Sequence, residues 1–116
     1  MGDNSDKTID TELGMKYCMN RKDLYKQVTD MFAAGEKSGF IEEMFGLKDW
    51  EKYRVEVHAI KGTALTIGAS KLAEMAKDID LAIKQGNPEF VELNHRDFMD
   101  EYIKVLDLIK SGAVSV

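Results

Sequence analysis

Apolar residues recur at helical spacing along almost the whole chain. The clearest run is Trp50, Tyr53, Val57, Ile60, Ala64 and Ile67, separated by three, four, three, four and three positions. That is the stripe of a helix with one buried face. Asp49 in front of it suits an N-cap, and Gly68 behind it suits a helix end. Upstream, Leu24, Val28, Met31 and Phe32 predict a helix from about Arg21 to Gly35, with Gly35 and Gly39 bracketing its end. Ile9, Leu13 and Tyr17 predict a short helix between Thr8 and Cys18, and Phe40 to Gly46 adds one or two turns. Downstream, Ser70 is a candidate cap, Leu72, Met75, Ile79 and Ala82 form an inner face, and Gly86 stops that helix. Asn87-Pro88 is an N-cap followed by proline at the first helical position. Val91, Phe98, Tyr102, Val105 and Ile109 mark the face of a last helix that runs to about Lys110.

Pro88 is the only proline, and no β-branched alternating run is present, so the chain reads as nearly all helix. Short links make the last three helices antiparallel neighbours. The predicted fold is all-α: an up-down four-helix bundle with an additional short N-terminal helix. It occupies residues 8–110, between a loose N-terminus at 1–7 and a tail at 111–116.

Composition narrows the function classes. The 116 residues fit one domain, 44% hydrophobic and 32% charged, with a formal net charge of −5. An acidic chain is a poor match for a nucleic-acid backbone or an anionic membrane surface. Cys18 is the only cysteine, which excludes an intrachain disulfide and suits a reducing cytoplasm. No apolar run approaches a bilayer span, and Met1 to Asp6 lacks the basic start of a signal peptide. The expected location is therefore cytoplasmic.

One residue on the helix that carries the main stripe does not fit a purely structural role. At 100° per residue, His58 points about 140° from the centre of the buried face, and Gly62 points roughly opposite the core. A glycine inside a helix costs about 0.5–1 kcal/mol relative to alanine. An exposed Gly62 has no packing reason to accept that cost, which leaves close approach by another surface. Lys61 sits three residues after His58, where its ammonium can swing beside the imidazole. A neutral imidazole is a nitrogen nucleophile near neutral pH. A nearby ammonium offsets charge developing on a transferred phosphoryl group. Taken alone, a solvated histidine near a lysine is more often only surface.

The stretch from His58 to Leu72, His-Ala-Ile-Lys-Gly-Thr-Ala-Leu-Thr-Ile-Gly-Ala-Ser-Lys-Leu, resembles the signature of histidine-containing phosphotransfer (HPt) domains. The shared features are the histidine, Lys-Gly three and four residues later, then Gly-Ala and a leucine. Tyr25 with Phe32, Ala82, and Gly86-Asn87 resemble flanking features of that family, so the similarity covers roughly residues 9 to 109. Ile79-Asp80 departs from the Leu-Glu of many members and, being remote from the histidine in sequence, puts little in doubt. The resemblance implies a phosphoryl carrier without kinase activity, ATP site, cofactor or metal of its own. His58 would be the phosphoryl acceptor, Lys61 would stabilise charge and Gly62 would give the partner access. The implied partners are receiver domains of a hybrid histidine kinase and of a response regulator, which supply the aspartate and Mg²⁺. Lys61-Gly62-Thr63 is not a P-loop, because the glycine spacing is wrong and the segment is helical.

Other candidates carry less. His95 falls between Val91 and Phe98 on an apolar face and reads as a core histidine. Glu92 and His95 form one Glu-x-x-His pair, whereas a di-metal bundle needs two. Cys18 has no Cys or His at zinc spacing, and the 7 methionines read as core filler. Glu42, Glu43, Asp78 and Asp80 read as solvated surface. The alternative function is a helical adaptor that binds partners without phosphorylation. The length favours a free-standing protein, and a monomer is the favoured state.

Overall fold

The computed structural model describes residues 8–114, so the expectations for residues 1–7, 115 and 116 lie outside it. Six helices follow one another: α1 (Thr11–Tyr17), α2 (Lys22–Ala34), α3 (Ser38–Leu47), α4 (Trp50–Ile67), α5 (Ser70–Lys84) and α6 (Pro88–Lys110). α4 packs on α5, α5 on α6, and α2 on both α4 and α6, which closes a ring of four helices. α1 packs against α4 and α2, and α3 lies against α4. The all-α bundle with an added N-terminal helix is as expected.

The end signals act where the sequence puts them. The Asp49 side chain accepts the Lys52 amide at 3.2 Å, and Asn87 accepts the Phe90 amide at 3.4 Å with Pro88 behind it. Gly68 ends α4 at φ +89°, a left-handed conformation that glycine adopts without penalty. Tyr53, Val57, Ile60, Ala64 and Ile67 are buried along α4, and the large ones each contribute about 1.5–3 kcal/mol by leaving water. Tyr25, Phe32, Ile41, Leu72, Ile79, Phe98 and Val105 face them across the core.

Four local expectations change. α3 is ten residues long rather than one or two turns, and Gly39 lies inside it. Ser70 is the first residue of α5, whose N-cap is Ala69. Tyr17 is exposed; the buried positions are Gly14 within α1 and its C-cap Cys18. A side chain at Gly14 would collide with the Tyr25 ring and the Ile67 backbone, so only glycine lets α1 come that close. Met31 is exposed, and Tyr25, Thr29 and Phe32 form the buried face of α2. Tyr17 and Met31 are each sequence neighbours of a buried position, Cys18 and Phe32, a shift that spacing alone does not resolve.

Candidate functional site

Arg54, His58 and Lys61 are spaced by four and three residues, so they share one flank of α4. That flank faces α5. Ala73 and Ala76 are small and buried there, which lets the two helices approach closely, and Asp80 continues their row one turn later. The Asp80 side chain is only 3% exposed, whereas that of His58 is 55% exposed.

Asp80 gathers the site. His58 Nδ1 lies 3.0 Å from Asp80 Oδ2, and Lys61 Nζ lies 3.3 Å from the same oxygen. Lys84, one turn after Asp80 on α5, brings its Nζ to 3.6 Å. Arg54 Nη1 reaches the other oxygen at 3.5 Å, and Arg54 Nη2 holds Glu51 at 3.1 Å. Burial pushes the Asp80 carboxyl up, but the His58 and Lys61 hydrogen bonds and the Lys84 charge outweigh it and hold the group below its ordinary range. Asp80 is therefore an anion near neutral pH and can only accept. The His58 hydrogen consequently sits on Nδ1, and the lone pair of the neutral ring is on Nε2.

Gly62 lies in the next turn of α4, exposed, and a Cβ built there meets no atom within 4 Å. On the other flank of α4, Ala59, Ile60 and Thr63 border an apolar cleft of about 300 Å³ closed by Val28, Phe32 and Ile41. His58, Lys61 and Gly62 thus occupy one outward surface, as their spacing predicted.

Asp80 corrects the sequence reading. It is neither solvated surface nor remote from His58. The available signal was its place in the row Ala73, Ala76, Asp80, spaced by three and four. A carboxylate at the end of a buried small-residue row needs partners, and α4 offers three of them, with Lys84 of α5 itself as the fourth.

His95 is held elsewhere. It is buried and stacks on Phe45 with ring centres 3.7 Å apart. Its Nε2 lies 2.7 Å from Glu42 Oε1, and its Nδ1 lies 2.7 Å from the Tyr53 hydroxyl. Burial, with the Glu42 charge, raises the Tyr53 phenol above its ordinary value, so Tyr53 keeps its proton and donates it to Nδ1. Nε2–H then donates to Glu42, which is a structural partner and not free surface. Glu92 pairs with Lys48 at 3.3 Å and does not join His95. Among the described residues no cluster of three or more His, Cys, Asp or Glu could hold a metal ion, and no helix is long and apolar enough to cross a membrane.

A family model described as Hpt domain matches residues 27–110. No curated protein and no solved structure matches the chain.

Proposed function

Because the chain belongs to the Hpt domain family, whose members carry phosphoryl groups in phosphorelays, we propose that it relays a phosphoryl group between receiver-domain aspartates through phosphohistidine at His58. The observation that carries this reading is the His58 Nδ1 hydrogen bond to buried Asp80, which turns the Nε2 lone pair toward solvent. In the transfer step Nε2 attacks phosphorus. The Nε2–P bond forms as the P–O bond to the donor aspartate breaks, and the electron pair leaves with the carboxylate oxygen. The Nδ1 proton stays in place, so the ring becomes an imidazolium, and the Asp80 carboxylate offsets its charge. Lys61 offsets charge on the phosphoryl oxygens. Open space at Gly62 and the apolar cleft beside Ala59 suit a protein partner that must bring its aspartate to the ring. Transfer in both directions needs no nucleotide, metal or cofactor held by this chain, and the protein acts as a carrier without kinase activity.

The test is phosphoryl transfer from a panel of phosphorylated receiver domains to the wild type and to His58→Gln. The wild type should take up an acid-labile, base-stable label, and the variant should take up none. Its stability should stay within about 0.5 kcal/mol, since the side chain is largely in water. Labelling of the variant would move the site elsewhere. A wild type that binds these receivers without taking label would be an adaptor.

A further inference from the structure

The Asp80 carboxylate is shared unevenly among the His58 ring and three cations, Arg54, Lys61 and Lys84. Oδ2 has two lone-pair positions, and His58 Nδ1 and Lys61 Nζ take them at 3.0 and 3.3 Å. Arg54 sits on Oδ1 and is fixed from behind by Glu51. Lys84 is left at 3.6 Å from Oδ2, and among the described residues it makes no side-chain hydrogen bond. Its side chain is half exposed, on a long flexible stem. Counting formal charges, Arg54, Lys61 and Lys84 outweigh Asp80 and Glu51, so a local positive surplus surrounds His58 in a chain of net charge −5.

That surplus has a use once the ring is phosphorylated. The imidazolium then demands the Asp80 carboxylate for itself, and a phosphoryl dianion appears on Nε2. Lys84 is the cation with least to lose by leaving Asp80. We infer that Lys84 is a second phosphoryl-binding cation, which moves from Asp80 to the phosphoryl group of phospho-His58 and holds it on this protein against return to the receiver. Arg54 stays behind as a positioning residue for Asp80. The inference rests on the His58 reading above. The competing role for Lys84 is structural, as a basic residue in the last turn of α5 that complements the helix dipole.

Wild type, Lys84→Gln, Lys84→Arg and His58→Gln are labelled with phosphoramidate and with a phosphorylated receiver. Two quantities are read: the partition of phosphoryl between this protein and the receiver at equilibrium, and the phosphorus NMR titration of the phosphohistidine. Lys84→Gln should shift the partition toward the receiver by about threefold, the scale that one exposed charge pair sustains. It should also move the phosphoryl titration midpoint upward, because a neighbouring cation favours the dianion. Lys84→Arg should restore both. Unchanged partition and titration in Lys84→Gln would overturn the inference. So would a partition change that Arg does not restore and that tracks a fall in melting temperature. Equal labelling of His58→Gln would overturn the His58 reading itself, and the inference with it.

Discussion

Replacing Gly62 by leucine separates stability from function. Gly62 lies in the interior of α4, and the space a Cβ would enter is empty to 4 Å. The substitution thus causes no clash, and an exposed leucine gains little from burial. What remains is backbone entropy and helix propensity, about 0.8–1 kcal/mol in favour of leucine. For a domain of this size that raises the melting temperature by about 4 °C. The same side chain rises one turn beyond His58, in the space through which a partner aspartate must come. In-line transfer requires close contact between Nε2 and phosphorus, and a misplacement of about 1 Å costs roughly 100-fold in rate. Receiver-dependent transfer should therefore slow by about that factor while the isolated protein becomes more stable. Phosphoramidate needs no docked protein, so labelling of His58 by it should change far less. The assays are thermal melts and rapid-quench transfer with both donors. A stable variant with full receiver transfer would refute the access argument, and an unfolded one would assign Gly62 to the fold.

Asp80→Asn should slow phosphoryl acceptance by about tenfold or more, because the amide no longer fixes the Nδ1–H form or offsets the imidazolium; rapid-quench kinetics and nitrogen NMR of His58 read the two effects. The Asp80 carboxyl is lowered in the folded state, so its contribution to stability is present above the ordinary value of 3.8 and is lost as the pH falls through the lower folded value. Melts across pH should show a gap between wild type and Asp80→Asn that is full at neutral pH and closes below about pH 3.8. His95→Gln should leave transfer intact and cost about 2 kcal/mol of stability, since it removes a stacked ring and disturbs two buried hydrogen bonds; transfer lost at unchanged stability would reverse the roles of the two histidines.

The outward direction of His58 and the exposure of Gly62 were legible because a long regular helix fixes direction by residue count, and six apolar positions set its phase. His95 was legible for the same reason on α6. The caps at Asp49, Gly68 and Asn87 were legible because they are local chemistry. Asp80 was not, because its burial depends on which face α5 turns to α4 and on how closely two alanines let them approach. Glu42 reads as surface for the same reason: it lies on α3, for which the sequence predicts only a turn or two, and its partner His95 is 53 positions away on α6. The pairings that complete both histidine environments cross between helices, and a single helix's periodicity contains no information about them.

The last turn of α4 is held by residues that precede the segment matched by the family model. The Tyr25 hydroxyl donates to the Ile67 carbonyl at 2.8 Å, and the Asp10 amide donates to the Gly68 carbonyl at 2.9 Å. Both donors precede residue 27, where the matched segment starts. A fragment cut to that segment would begin inside α2 and leave two carbonyls and the contact surface of α1 open to water. Amide exchange would then quicken first around Leu65 to Ala69 and spread back along the helix toward His58. The matched segment contains the candidate chemistry, and the upstream residues act as the clamp on the rod that carries it. The natural excision point for this unit therefore lies ahead of Asp10.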